Sequence, residues 1–256
     1  MPTERSSAGD PARTLQLLWR EPGPADSRRG PRQGLSVERV VATAIALADT
    51  DGLGSVTMRA IAQVLGVVPM SLYTYVPGKA ELLDLMLDTA YLQMPRPDLS
   101  GLPWRERLTA IAQQNRDLFT RHAWVAHVST SRPPLGPGLM AKYEYELQAL
   151  EGLGLDDVEM DAALTFLLDF VQAVARSAAE AATTRHDSAM SEEQWWSANA
   201  PLLARVFDET KYPTASRIGA AAGAVNGAAY NPEHAYIFGL QRVLDGLATL
   251  INGRED

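Results

Sequence analysis

Residues 57 to 79 read TMRAIAQVLGVVPMSLYTYVPGK, the spacing of a helix-turn-helix, a motif that lays one short helix in the major groove of DNA. Thr57 is placed to cap a first helix, its hydroxyl accepting a free N–H of the opening turn. Met58, Ile61, Ala62 and Leu65 then share one face at helical spacing. Ala62 is small enough for a second helix to cross close by. Gly66, four residues on, suits the left-handed turn position, where a Cβ would clash. A second helix is predicted from Pro69 to Tyr75, because a proline in the first turn gives up an N–H that has no intrahelical partner. Leu72 and Tyr75 then point inward and leave Met70, Ser71, Tyr73 and Thr74 outside, a mixed apolar, hydroxylic and aromatic surface. Taken alone, the Ala–Gly pair also fits a tight corner in an all-α core, so the flanks must decide.

Upstream, residues 36 to 52 read SVERVVATAIALADTDG. This is a capped amphipathic helix with Val40, Val41, Ala44, Ile45, Leu47 and Ala48 toward a core and Gly52 as its stop. Downstream, GKAELL at 78 to 83 opens another helix predicted to run to about Tyr91. The three-helix unit and its connecting helix resemble the DNA-binding domain of the TetR family of transcriptional regulators. The resemblance spans Leu35 to Tyr91, and the pattern G-V-x-x-x-x-L-Y-x-Y-V-x-x-K-x-x-L-L from Gly66 to Leu83 is specific in combination. It implies that Pro69, Met70, Ser71, Tyr73 and Thr74 face the groove. Thr57, Tyr75 and Lys79 would hold backbone phosphates, and Arg59 would reach a base or a phosphate. Chemistry agrees: Ser and Thr bond several bases, and Met or a Thr methyl meets the thymine methyl. Arg59 is the only arginine in the quoted stretch, hence its only planar fork for guanine.

The chain has 256 residues, enough for one large or two ordinary domains, and its 46% hydrophobic content can build a sizeable core. It has no cysteine, which removes disulfides, thiolate metal sites and cysteine nucleophiles. The N-terminus lacks a charged-then-apolar signal pattern, and no apolar run reaches the roughly 18 residues that span a bilayer. A cytoplasmic protein without membrane association is the expectation. The net charge of −8 argues at first against nucleic acid, which basic proteins bind by displacing counterions. Its distribution answers in part. Residues 28 to 79 carry six basic side chains against three acidic, whereas residues 95 to 256 carry 14 against 21. An acidic body repels non-specific DNA and leaves attraction to a small local patch.

Residues 1 to 34 form an extension rich in Pro, Gly, Ser and Arg that reads as mostly flexible linker. Within it, Arg13 to Arg20 has apolar residues at 15, 17, 18 and 19 that could form a turn or two against the body. Arg28, Arg29 and Arg32 precede the first helix of the 35–91 unit, either as an arm to phosphates or a minor groove or as a solvated linker. After the breaker Pro95-Arg-Pro97, residues 95 to 256 read as helices: Trp104 to about Arg121, Leu139 to Leu150, Asp156 or Asp157 to about Ala182, and Glu192 to about Phe207 after a Ser191 cap. The last starts at Asn231-Pro232 and ends at Gly253. Period-two alternation is absent, so the fold class is all-α: a three-helix DNA-binding domain followed by a helical effector-binding and dimerisation domain. The Gly-Ala run from Ile218 to Tyr230 has little to bury and reads as a mobile loop.

The TetR resemblance implies a homodimer joined by a four-helix bundle and enclosing a ligand cavity. The stripes Leu164, Leu168, Val171, Ala175 and Ala178, and Leu240, Leu244, Leu247 and Ile251, suit that helix-on-helix interface, with an internal core as the alternative. Gln114, Trp124, His127, Tyr143, Leu147, Phe166 and Phe170 supply aromatic walls and a few polar groups for a cavity. The acids Asp156, Asp157, Glu159 and Asp161 open a helix, where the macrodipole favours them, and that reading outweighs a catalytic or metal cluster. His122 and His127 lie five apart, not the four that stacks two imidazoles on one face. His127 lies near Arg132-Pro133, but the metal-binding histidine of tetracycline-binding members aligns with Val128, so no metal is carried over. No cofactor and no enzymatic activity are expected. The expected function is a repressor that leaves a palindromic operator when a small-molecule effector binds. The rivals are a helical small-molecule-binding protein or enzyme with a vestigial helix-turn-helix, and a module that binds another regulator.

Overall fold

The computed structural model describes residues 4–21, 34–188, 190–226 and 231–252. Among them are helices and two 3-10 turns but no strand. The three-helix unit that carries the motif, the reading head, begins with α2 (Val37–Asp51), whose N-cap Ser36 accepts from the Arg39 amide as its sequence predicts. In α3 (Met58–Leu65) the Thr57 hydroxyl accepts from Ala60 N at 3.1 Å, and Gly66 takes the left-handed conformation at φ 69°. The second helix of the motif, α4 (Pro69–Leu72), is shorter than expected and passes into turns over residues 73 to 75. Pro77 explains the stop: it pushes Val76 out of the helical region and cannot continue the hydrogen-bond ladder. α5 (Lys79–Leu92) follows and is buried on most of its surface.

Two cores organise the chain. The first gathers Val40, Val41, Ile61, Ala62, Leu72 and Val76 of the reading head around Leu82, Met86 and Leu87 of α5. Leu118, Trp124 and Val125 close it from the other side; Leu118 belongs to α6 (Trp104–Arg121), and the other two to the 3-10 turn Ala123–His127. The second core joins α6, α8 (Asp157–Ser188) and α11 (Pro232–Asn252) through Leu108, Ile111, Leu164, Leu167, Val171, Leu240, Leu244 and Ile251. Phe119 packs on both. α7 (Pro137–Gln148) lies on α5 so closely that a Cβ on Gly138 would stand 2.0 Å from the Asp88 carbonyl oxygen. It starts two residues earlier than predicted because Pro137 is itself suited to a first turn.

Several expectations are revised. Residues 4 to 21 are less linker-like than expected: the turn or two read at Arg13 to Arg20 is part of α1 (Pro11–Leu18), which packs on α5 with Leu18 buried. The long helix α8 runs to Ser188 rather than Ala182, since the alanines and straight-chain residues after 178 favour continuation. After α9 (Glu192–Val206), which opens with a Ser191–Gln194 capping box, the Gly-Ala run forms α10 (Pro213–Asn226) instead of a loop. Alanine's helix propensity outweighs the cost of Gly219 and Gly223, although no residue of α10 is buried. Arg28, Arg29, Arg32, Gly227 to Tyr230 and Gly253 lie outside the described residues. Asn231 caps α11, accepting from the His234 amide at 3.1 Å.

Candidate nucleic-acid interface and effector cavity

The turn at Gly66 sets α4 across α3, and both helices leave side chains exposed. Thr57, Arg59, Pro69, Met70, Tyr73 and Thr74 are exposed, Met70 by 74%. Ser71 and Tyr75 are half-buried because Leu72, fully buried between them, anchors the helix. The Thr57 oxygen is engaged as a cap acceptor, which leaves its O–H to donate outward. Among the described residues no side-chain hydrogen bond or ion pair engages the Arg59 guanidinium, which is exposed. Lys79 differs: its ammonium is 2.6 Å from the Glu4 carboxylate in a pair about 40% exposed on each side. Sequence reasoning missed two exposed valines of the motif, Val64 on α3 and Val68 just before α4. Valine at positions of α3 and the turn that the core does not need was the available signal.

The reading head meets the rest of the chain through polar as well as apolar contacts. Asp49 of α2 accepts from Trp124 Nε1 at 2.8 Å and bonds His122 Nδ1 at 2.8 Å. Asp88 of α5 accepts from the Leu139 amide at the start of α7, and burial pushes its carboxyl above the usual range. Asp84, fully buried on the same helix, is raised for the same reason, with the Ser7 amide opposing and nearby Glu81 adding to the rise.

A cavity of about 670 Å³ lies between α5, α6, α7 and α8. Its apolar wall includes Tyr91, Leu118, Phe119, Leu139 and Leu168, and its polar rim includes Ser129, Thr130, Ser131, Gln172 and Arg176. Lys142 reaches it from α7, holding Glu146 at 2.6 Å, while Asn115 donates to the other Glu146 oxygen at 2.6 Å. The Lys142 ammonium also sits 5.7 Å from the centre of the Tyr91 ring, whose hydroxyl titrates far above its usual range because it is fully buried. Sequence reasoning missed this polar triad; the signal available was a Lys–Glu pair four apart on one helix.

Of the seven residues predicted for the cavity, Tyr143 lines it and hydrogen-bonds Asp161. The other six do not. Trp124 is turned into the first core toward Asp49, and His127 is exposed at the end of its 3-10 turn. Gln114 donates to the Tyr145 hydroxyl, and Leu147 packs on the second core. Phe166 faces solvent, while Phe170 stacks on Tyr236 with ring centres 6.2 Å apart. Aromatic content pointed to large side chains, but helix rotation turns these elsewhere.

The predicted dimer stripes are also reassigned. Leu164, Val171, Leu240, Leu244, Leu247 and Ile251 are buried within one chain, where α6, α8 and α11 cover one another. Leu168 lines the large cavity, and Ala175 lines a smaller one of about 280 Å³ with Ala178 and Tyr236. The exposed apolar side chains of these helices are Val158, Phe166, Ile237 and Phe238. At the start of α8, Asp156 and Glu159 each accept from the other's amide, a reciprocal cap rather than a catalytic pair. Among the described residues no group of three His, Asp or Glu side chains could hold a metal.

Residues 40–86 match the family profile described as bacterial regulatory proteins, tetR family, and residues 96–251 match the tetracyclin repressor-like C-terminal domain. The chain is 39% identical over 254 residues to the HTH-type transcriptional repressor DrrR1 of Streptomyces coeruleorubidus, covering 98% of this chain and 91% of that one. It resembles ActR of Streptomyces coelicolor in complex with actinorhodin at a TM-score of 0.72 and 26% identity, over 89% of this chain and 100% of that one. It also resembles BioQ bound to its double-stranded DNA operator, at a TM-score of 0.52 and 27% identity, over 59% of this chain and 90% of that one. The chain therefore belongs to the TetR family of bacterial regulatory proteins, and its helix-turn-helix makes it a DNA-binding transcription regulator.

Proposed function

We propose that the protein is a cytoplasmic homodimeric repressor that leaves a palindromic operator when a small molecule fills the 670 Å³ cavity. Each subunit presents Arg59 and residues 69 to 74 to one major groove, with Thr57, Tyr75 and Lys79 on the flanking phosphates. The observation that carries the reading is the double role of α5. It begins at Lys79, immediately after the reading head, and carries Tyr91 of the cavity wall in its last turn. A ligand pressing on Tyr91 therefore acts on the helix that spaces the two heads. The relatives support each half: DrrR1 is a repressor, BioQ is seen on its operator, and ActR is seen with actinorhodin. No described helix is long and apolar enough to cross a membrane.

The effector is inferred to be a mostly apolar small molecule bearing oxygen functions, matched to an aromatic and aliphatic wall with a hydroxyl-rich rim and Lys142. Dimerisation is assigned to the outward faces of α8 and α11, where Phe166, Ile237 and Phe238 are exposed, rather than to the buried stripes. The coupling needed is small, since a tenfold loss of operator affinity is about 1.4 kcal/mol. A compound library screened by thermal shift, with each binder then tested on the protein–operator complex, checks the reading. At least one cavity binder should release the operator; if every binder left DNA affinity unchanged, effector release would be wrong. A helical ligand carrier with a vestigial motif predicts the second outcome, together with no sequence preference on DNA.

A further inference from the structure

Residues 4 to 10 bridge α5 and the 129–133 loop. Glu4 pairs with Lys79 at 2.6 Å. The next residues run parallel to the 129–133 loop: Ser129 N donates to Glu4 O at 3.0 Å and Ser6 N to Ser129 O at 3.1 Å. The Ser6 hydroxyl, 4% exposed as a residue, lies within hydrogen-bond distance of Ser129 O and Arg132 O, and the Ser7 hydroxyl donates to Pro133 O. On the other side Ser7 N donates to Asp84 at 2.7 Å, and Asp10 N to Glu81 at 3.3 Å, both on α5. Ser7 adopts φ 52°, a left-handed conformation that non-glycine residues hold only where their surroundings impose it. Ser129, Thr130, Ser131 and Pro133 of the same loop line the effector cavity.

We infer that residues 4 to 10 are a regulatory strap, in which Glu4 masks the phosphate-holding Lys79 and the 129–133 loop reports cavity occupancy to that mask. This rests on the reading of Lys79 as a phosphate contact. A carboxylate 2.6 Å from the ammonium competes directly with a DNA phosphate and repels it, so full engagement of DNA requires the strap to lift. Lifting breaks the parallel contact with Ser129. A ligand that orders the loop holds the strap down, and the two events oppose each other through one set of hydrogen bonds. The pair is partly exposed, so the mask is a trim on affinity rather than an on–off switch.

Glu4→Gln, Lys79→Ala and the double variant, titrated by fluorescence anisotropy against a genomic fragment the wild type selects, test the masking. Glu4→Gln should bind about two- to five-fold tighter at low salt, with a salt slope steeper by about one, and both gains should vanish in the Lys79→Ala background. Hydrogen exchange with and without DNA tests the link: the Ser6 and Ser129 amides should exchange faster once DNA is bound. If Lys79→Ala weakens binding while Glu4→Gln matches the wild type, the strap is overturned and Lys79 stands. If Lys79→Ala is also neutral, the phosphate reading falls and takes the strap with it. A Glu4→Gln gain that survives without Lys79 marks a general charge effect, and unchanged exchange at Ser6 and Ser129 removes the cavity link; either result overturns the proposal.

Discussion

Arg59 and Lys79 are both cations of the reading surface, yet they should fail differently when removed. Arg59 is exposed and can grip a guanine edge with two parallel N–H groups, so Arg59→Ala should cost about 1–3 kcal/mol on the preferred site and loosen base preference there. Lys79→Ala should weaken binding to all sequences alike and flatten the salt slope by about one. Competition titrations with matched and scrambled duplexes separate the two; equal losses on both duplexes for Arg59→Ala would place that residue on a phosphate. Asp84 offers a test of the interior. Burial raises its carboxyl above the ordinary value, so the folded chain binds the proton more tightly than the unfolded chain. The stability this confers is complete below the unfolded carboxylate pKa, about 3.9, and fades as pH rises through the raised folded value. Asp84→Asn cannot titrate and keeps an oxygen for the Ser7 amide. Its stability relative to the wild type should therefore climb from pH 4 toward neutrality, by at most about 1.4 kcal/mol per pH unit, in urea melts. A flat difference would contradict the assignment.

Helices announce their ends locally and their partners hardly at all. Ser36, Thr57, Ser191 and Asn231 all cap as read from sequence, because a cap is decided within four residues. The stripes of α8 and α11 were equally visible, but a stripe says only that a face is covered. Here α6 and the two helices themselves cover it, inside one chain. The cavity was least legible, since Asn115 and Glu146 meet across 31 residues of sequence and neither is aromatic. Glycine shows the same dependence on surroundings. Gly219 sits in exposed α10 with open space around its absent Cβ, so Gly219→Ala should firm that helix by about 1 kcal/mol. Gly239 in α11 lies against Phe170, where a Cβ would come within 2.3 Å of the ring. Gly239→Ala should instead destabilise by about 1–3 kcal/mol through overpacking. Thermal melts of the two variants should move in opposite directions, and a common direction would contradict the α8–α11 packing.

At the scale of the molecule, residues 28 to 79 carry a net charge of +3 and residues 95 to 256 one of −7, so the acidic body discourages loose binding to DNA. Two heads must act together for a near-palindrome to be read. Phe238 and Ile237, more than half exposed on α11, are the side chains assigned to joining them. Phe238→Glu should leave the fold intact and convert a dimer to a monomer in sedimentation velocity, with operator affinity falling in parallel. A Phe238→Glu protein that sedimented as a dimer would move the interface elsewhere. The central claim, that this surface reads a specific operator, is tested most directly by selecting bound fragments from the source genome and titrating the best one at several salt concentrations. The account predicts an enriched inverted repeat, bound with a steep salt slope that Arg59→Ala and Lys79→Ala alter in their separate ways. Recovery of no common sequence, with weak binding that ignores base order, would contradict it.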